Sequence, residues 1–467
     1  MGNSGQGQKK DAHTALGRRE LIRWSLYAGA ALGLSQWKVL EVLERGGGRA
    51  LAQDAACAVS NRSLHIVAGT GGMAWFNLLW PHNDVAAAGR DDFSFHAPGE
   101  ITMARGTDKP LTLGPETPWR GLAGNRQVTA FLAGRNQTHT RTPDSNVTVA
   151  MGTDLFAACA AVQTANPTLV PVIAVDDAPY RSAQGAPRVS RVGSADDIVS
   201  LFDSAASRAG GLLATTGNAE LYASAYSTFL GLRAAAGRST QRTANAVGVG
   251  ASRLLGRNLA TALRPTAADF VRYGITDASR SVNRELANGL ITAAKAFVMG
   301  LTSSVILPAF RDDPHGAFND MTTLRRNARE MGAMLDAFLA DLMAADDATC
   351  AGTKVGENVV VSIHGDTPKN PLERSNWPDG TPGDSNWCYV LGAGHLKTGW
   401  FGGVRRDGSV VGWNPTTGAD APDATSASLS SPAAAAILYA VTKGDIRRTS
   451  DFYRGADIGG VVASATT

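Results

Sequence analysis

Four short apolar runs, separated by polar and Ala-rich stretches, give this chain the pattern of an α/β protein. The runs cover residues 63–68, 169–175, 358–363 and 387–392. Their length and the turn residues around them are typical of buried strands. Strands that alternate with helices are joined by right-handed crossovers and form a largely parallel sheet. We therefore expect an α/β fold with a mainly parallel sheet flanked by helices.

The clearest helical pattern lies in residues 317–345. Its apolar residues recur at the spacing of one helix face and are Met331, Met334, Leu335, Phe338, Leu339 and Leu342. Residues 153–164 predict a shorter helix, and the long Ala-rich stretch 217–300 reads as mostly helical. The alternative to one large domain is a smaller α/β core with a separate helical domain at 210–310.

The N-terminal segment has the order of a twin-arginine export signal. Arg18 and Arg19 precede the apolar run 24–34, and Ala50 and Ala52 supply the small residues of a cleavage site. The alternative is an ordinary amphipathic helix with a chance Arg-Arg pair. We predict export by the twin-arginine translocation machinery to the periplasm or the extracellular space. Cleavage after Ala52 would leave one large domain at 53–467.

Charge and hydropathy limit the partners. The apolar run of the signal has 11 residues, whereas a bilayer span needs roughly 20. No later segment reaches that length without charges, so we expect no membrane span in the mature form. The net charge of +3 gives no reason to expect nucleic acid as a partner.

The four cysteines, at 57, 159, 350 and 388, form no C-x-x-C pair, which argues against a structural zinc site. They also lie outside any Cys-x-Pro-x-Arg run, which excludes formylglycine sulfatase chemistry. Because an exported protein meets an oxidising compartment, Cys350 with Cys388 is a candidate disulfide.

Polar residues worth weighing occur in three loops, of which the first and the third follow predicted strands. They lie in the loops 69–77, 311–319 and 364–370. Open parallel sheets bind ligands at the carboxyl ends of their strands. We therefore expect any functional site to lie in these three loops.

The same loops resemble a family of exported bacterial proteins, domain-of-unknown-function family 1501, which is related to alkaline phosphatases and sulfatases. The segments that carry the resemblance are Gly71–Asn77, Asp313–His315, Ser362–Thr367 and Gly380–Gly383. The resemblance implies an alkaline phosphatase-like α/β fold and a metal-dependent hydrolase site. In such a site, divalent metals polarise the ester oxygen and stabilise negative charge in the transition state.

The sequence departs from the family where the metals would be bound. Ala74 replaces an Asp, Ile363 replaces a Glu, and Pro382-Gly383 replaces an Asp-His pair. Asp313 and His315 remain, but a single Asp-x-His pair cannot hold two metals. The resemblance therefore implies an exported protein with a degenerate metal centre and a non-catalytic binding or scaffold role.

The alternative function is a metal-dependent hydrolase of phosphate or sulfate esters with a rebuilt site. Asp313, His315, His364 and Asp366 would hold one divalent metal, and this donor set suits zinc or manganese. A plainer interpretation of the same residues is that Asp313 lies in a solvated turn, His364 caps a loop and Asp366 begins a turn before Pro368.

A further polar pair, Thr138 with His139, lies in a loop between predicted elements. A hydroxyl beside a histidine can act as a nucleophile with its base. No third partner is evident from the sequence, and an ordinary polar loop is the competing interpretation.

Overall fold

The structure of the chain is a computed structural model. It describes residues 57–68, 101–103, 110–112, 128–135, 148–150, 153–166, 168–203, 258–309, 321–347, 349–350, 352–366, 382–392, 394–405 and 409–463.

The strands within these ranges are β1 (Arg62–Ala68), β2 (Ile101–Met103), β3 (Pro110–Thr112), β4 (Val128–Arg135), β5 (Thr148–Ala150), β6 (Thr153–Asp154), β7 (Val172–Val175), β8 (Ser190–Val192), β9 (Ser304–Ala309), β10 (Val359–Asp366), β11 (Ser385–Gly392), β12 (Gly399–Phe401), β13 (Gly403–Val404), β14 (Val410–Trp413) and β15 (Asp420–Ala421). The helices are α1 (Leu155–Gln163), α2 (Ala195–Leu201), α3 (Leu259–Leu263), α4 (Ala267–Arg272), α5 (Ser281–Val298), α6 (Met321–Ala344), α7 (Ser430–Val441) and α8 (Ile446–Ser450). Short 3-10 turns cover Val355–Asn358, Pro382–Asp384 and Ala427–Leu429.

An eight-stranded sheet forms the centre of the fold, in the order β12-β4-β11-β10-β1-β9-β7-β8. All neighbours from β10 to β8 are parallel. The four apolar runs of the sequence all lie in this sheet, as β1, β7, β10 and β11. The predicted α/β fold with a mainly parallel sheet and flanking helices is therefore confirmed. Smaller sheets pair β14 with both β13 and β15, β2 with β3, and β5 with β6.

The strand β11 departs from the expected parallel arrangement. It runs antiparallel to β10, and β4 runs antiparallel to β11. A parallel neighbour needs a crossover connection, usually a helix. The stretch between β10 and β11 contains four prolines, at 368, 371, 378 and 382, and proline disfavours a helix interior.

Helices cover both faces of the sheet. Phe156 of α1 packs on His65 of β1, and α7 contacts α1, β4 and β10 on the same side. On the opposite face, α5 approaches β9 so closely that a Cβ on Gly289 would lie 3.0 Å from Cδ1 of Leu307. The helix α6 packs on α5. Its six predicted apolar positions are all buried, which confirms the periodicity seen in the sequence.

The chain separates into two compact units. The larger comprises residues 54–166, 171–196 and 265–467, and the smaller comprises 1–53, 167–170 and 197–264. The larger unit contains the sheet together with α4 and α5. The expectation of a single domain at 53–467 stays a prediction. Among the described residues, no helix is both long and apolar enough to cross a membrane.

The disulfide expected between Cys350 and Cys388 is wrong. Cys350 is bonded to Cys57, 293 residues away in the sequence. Cys388 is buried in β11 and is not disulfide-bonded. The reason is topological: Cys350 lies in the loop after α6, which runs beside the segment preceding β1, whereas Cys388 points into the covered face of the sheet.

Candidate functional site

The three strands that precede the loops expected to carry a site lie side by side. These strands, β10, β1 and β9, are consecutive parallel neighbours. Near their carboxyl ends, Val67 pairs with His364 and Ala68 pairs with Ala309. These three strands therefore end at the same edge of the sheet.

Most of the predicted site residues lie outside the described part of the chain. These are Asp313, His315, Thr138, His139, Arg18, Arg19, Ala50 and Ala52. His364 lies within β10, and Asp366 is the last residue of that strand. Only the backbone of Asp366 is described. The four-ligand metal site at Asp313, His315, His364 and Asp366 therefore stays a prediction.

The structure places His364 in a buried row of polar side chains, the His–Ser–His–Cys relay, formed by His65, Ser362, His364 and Cys388. Nδ1 of His65 lies 2.7 Å from Oγ of Ser362. The same Oγ lies 2.7 Å from Nε2 of His364. Nδ1 of His364 lies 3.6 Å from Sγ of Cys388. Four side chains from three adjacent strands thus share one hydrogen-bonded chain.

The relay is sealed from solvent. The exposed fraction of His65, Ser362 and His364 is 0 %. Phe156 of α1 covers the two imidazoles, with ring centroids 4.4 Å from His65 and 5.1 Å from His364. An aromatic cap over both rings fixes their planes and keeps water away from the hydrogen bonds.

Hydrogen-bond direction along the relay follows from the single proton of the serine hydroxyl. If Nδ1–H of His65 donates to Ser362, the hydroxyl donates to Nε2 of His364 and Nδ1–H of His364 donates to Cys388. The reverse direction leaves an N–H at Nε2 of His65, a buried atom without a partner among the described residues. Orphaned buried N–H groups are the rarer defect, so the first direction is favoured.

Burial keeps the relay uncharged. It lowers the pKa of His65 well below the ordinary range, and the neighbouring His364 lowers it further. Burial also lowers the pKa of His364 to about 3 and raises the pKa of the Cys388 thiol. A reactive cysteine needs an accessible thiolate beside a positive charge. The relay offers neither, so its chemistry is that of a neutral hydrogen-bonded core.

Two of the relay residues, His65 and Cys388, were not recognised as site candidates from the sequence. The signal is the repeated Ser-x-His pattern: Ser63-Leu64-His65 in β1 and Ser362-Ile363-His364 in β10. Alternate residues share one face of a strand. The register pairs His65 with Ser362 and His364 with Cys388, which turns the two patterns into one row.

Asp154 is another buried ionisable group on the same face. It caps α1 by accepting a hydrogen bond from the Ala157 N–H at 2.8 Å. Burial raises its pKa, although backbone hydrogen bonds from Ala157, Arg181 and Phe156 oppose the shift. The helix runs back along β1, since Phe156 meets His65 and Gln163 meets the carbonyl of Asn61. Asp154 therefore lies toward the carboxyl edge of the sheet.

Within the part of the chain that the structure describes, no group of three or more His, Cys, Asp or Glu side chains is placed to hold a metal ion. In the relay, both ring nitrogens of His364 already face protein partners. Comparisons of the chain with models of protein families, with curated proteins and with solved structures found no match.

Proposed function

We propose that the chain is an exported alkaline phosphatase/sulfatase-like protein with a degenerate metal centre and a non-catalytic binding or scaffold role. The observation that carries the proposal is the position of His364. Its Nε2 lies 2.7 Å from Ser362 and its Nδ1 lies 3.6 Å from Cys388. A histidine ligand must present a free lone pair to the metal, and His364 has both nitrogens occupied.

The replaced metal ligands in the sequence support the same proposal. Ala74, Ile363 and Pro382-Gly383 stand where the family carries ligating side chains, and none of these residues has a side chain that can bind a metal. Ile363 is fully buried and lies on the face of the sheet opposite to His364. If His364 is also withdrawn into the relay, Asp313, His315 and Asp366 are the remaining donors of the predicted site.

The disulfide between Cys57 and Cys350 supports the exported location. Disulfides form and persist in the periplasm and outside the cell, and are rare in reducing cytosol. The export signal and the disulfide are independent features of the chain. Both favour a periplasmic or extracellular protein that meets the translocation machinery as its first partner.

The alternative is a hydrolase of phosphate or sulfate esters with one zinc or manganese ion. What favours it is the parallel order β10-β1-β9. Asp366 ends β10, and the segment that contains Asp313 and His315 follows β9, one strand removed from β10. The two functions differ in whether those loops form a metal site that works without His364.

Hydrolysis assays separate the two functions. The purified mature protein is incubated with aryl phosphates and aryl sulfates in the presence of zinc or manganese, beside a His315→Ala variant. The proposal expects the same background rate from both proteins. Turnover by the wild type that is lost in His315→Ala would overturn it and establish the hydrolase.

A further inference from the structure

Residues 57–62, here called the N-terminal strap, are held along their whole length by other parts of the larger unit. Cys57 is disulfide-bonded to Cys350. The N–H of Ala58 donates to the carbonyl of Thr349 at 3.2 Å. Arg62 donates hydrogen bonds from both of its terminal nitrogens to the carboxylate oxygens of Asp347. The strap thus meets the loop after α6 at both of its ends.

Two side chains hold the middle of the strap. Oδ1 of Asn166 accepts from the Val59 N–H at 3.2 Å, and Nδ2 of Asn166 donates to the carbonyl and the hydroxyl of Ser60 at 3.1 and 2.8 Å. Arg448 of α8 donates to the carbonyl of Val59 at 2.6 Å. None of these contacts depends on the sulfur atoms.

Asn61 connects the strap to two helices. Its N–H donates to the carbonyl of Val441 and its Nδ2 donates to the carbonyl of Ala440, both at 2.8 Å. Its carbonyl accepts from Nε2 of Gln163 at 2.8 Å. Asn61 is 1 % exposed, so these bonds lie in the interior, where an unmade bond is costly.

The opposite cysteine is positioned just as firmly. The N–H of Cys350 donates to the carbonyl of Asp347 at 3.1 Å, and the N–H of Thr353 donates to the carbonyl of Cys350 at 3.2 Å. The N–H of Asp347 closes the loop on the carbonyl of Thr353 at 2.9 Å. Cys350 is therefore held by its own loop, and that loop is held by Arg62.

We propose that Cys57 and Cys350 are brought together by these non-covalent contacts and that the disulfide forms on the already folded chain, as a lock on the N-terminal strap. The chain reaches its fold without the bond, and oxidation then adds one covalent link between the strap and the loop after α6. This order suits a protein that folds in a reducing compartment and crosses the membrane folded, but it does not depend on the function proposed above.

The chemistry needs an external disulfide as oxidant. Cys57 is half-buried, so its thiolate attacks a sulfur of the oxidant and forms a mixed disulfide, while the other oxidant sulfur leaves as a thiolate. The thiolate of Cys350 then attacks the sulfur of Cys57 in the mixed disulfide. The oxidant sulfur bound there leaves as the second thiolate. The protein loses two protons and two electrons, and the oxidant is reduced to two thiols.

The first test is reoxidation without unfolding. The intact protein is reduced in native buffer, its circular dichroism is recorded, and oxidised glutathione is added without denaturant. We expect unchanged secondary structure after reduction and a single Cys57–Cys350 bond by mass spectrometry after oxidation. Cys159 and Cys388, both buried, should stay reduced. Loss of structure on reduction, or reoxidation that needs denaturant, would overturn the proposal.

The second test uses the Cys57→Ser variant, with Cys159→Ser as the matched control outside the strap. Hydrogen exchange of the amides of residues 58–61 should become about tenfold faster in Cys57→Ser, because local opening is no longer restricted. Exchange in β9 should not change. An unfolded Cys57→Ser protein, or strap amides that exchange at the wild-type rate, would contradict the lock.

Discussion

Arg62 and Asp347 form a two-bond ion pair across 285 residues of sequence, with Nη1 to Oδ2 at 2.8 Å and Nη2 to Oδ1 at 3.0 Å. The pair joins the first residue of β1 to the loop after α6. Asp347 also accepts hydrogen bonds from the backbone and hydroxyl of Thr349 and from Nδ2 of Asn358. A buried carboxylate with this many donors remains ionised, and the arginine remains compensated.

Removing the charge of Asp347 should therefore destabilise the fold strongly. Asp347→Asn leaves the guanidinium of Arg62 buried and unpaired, and breaking a buried pair in this way costs about 3–5 kcal/mol. Chemical denaturation at pH 7 measures the loss in free energy of unfolding.

Asp346→Asn is the matched control for that variant. The neighbouring Asp346 pairs with Lys354 at 2.6 Å but its side chain is 89 % exposed, and exposed pairs contribute about 0–1 kcal/mol. Equal losses of free energy of unfolding in the two variants would show that the buried pair stabilises the fold no more than the exposed pair does.

The free energy of unfolding should fall at acid pH as Asp347 becomes protonated. Burial acts to raise the pKa of this carboxyl, but the hydrogen bonds and charge of Arg62 and the hydrogen bonds of Thr349 outweigh it and lower the pKa to about 2. Because the folded-state pKa lies below the ordinary value, the contribution is complete above about pH 4 and is lost as the pH falls through 2. The expected loss is about 2 kcal/mol.

Denaturation of the wild type and of Asp347→Asn at several pH values between 5 and 2 provides the measurement. The gap between the two free energies of unfolding should narrow toward acid. A constant gap over this range would mean that Asp347 titrates alike in the folded and unfolded chains.

Ser362 is hydrogen-bonded to both imidazoles of the His–Ser–His–Cys relay. Removing its hydroxyl should therefore lower the free energy of unfolding by more than the small size of the group suggests. Ser362→Ala leaves Nδ1 of His65 and Nε2 of His364 buried without their partner, and an unsatisfied buried group costs about 1–3 kcal/mol. Thermal or chemical denaturation would show a loss of about 2 kcal/mol or more.

The comparison variant at the end of the relay is Cys388→Ser. It keeps a hydroxyl oxygen that can accept from Nδ1–H of His364 and should change the free energy of unfolding by less than about 1 kcal/mol. An unchanged free energy of unfolding in Ser362→Ala would imply that the two imidazoles find other hydrogen-bond partners.

Four strands of the central sheet can be predicted from the sequence because they are apolar runs of ordinary length. The runs that became β1, β7, β10 and β11 all entered the same sheet, and the buried face of α6 followed its periodicity. The strand β4 was not anticipated. It lies in a segment whose sequence, VTAFLAGR, mixes small and polar residues with apolar ones, and its place between β11 and β12 is set by long-range pairing.

The relay could not be predicted because it depends on register. Ser362 and His364 were visible as part of a loop-proximal segment, but only the pairing of β1 with β10 brings His65 beside Ser362. Likewise, the disulfide partner of Cys350 follows from the path of the strap, which no local pattern encodes. Local patterns predict elements, whereas contacts between distant elements need the assembled sheet.

Export should depend on the paired arginines. Replacing Arg18 and Arg19 together by lysine should keep the precursor inside the cell, because the translocation machinery reads the guanidinium pair rather than its charge alone. Arg23→Lys, in the same segment, should still be exported.

The mature protein recovered outside the cytoplasm should begin at Gln53. N-terminal sequencing together with fractionation decides the point. An uncleaved chain that begins at Met1 in the cytoplasm would contradict the signal assignment.

Metal content of the exported protein tests the degenerate metal centre most directly. The mature wild type and His315→Ala are purified from the periplasm without chelator, dialysed against zinc and manganese, and analysed by elemental mass spectrometry. We expect far less than one metal ion per chain in both proteins, because His364 is held in the relay and four ligating residues of the family are replaced, by Ala74, Ile363, Pro382 and Gly383. One tightly bound ion per wild-type chain, absent from His315→Ala, would contradict it.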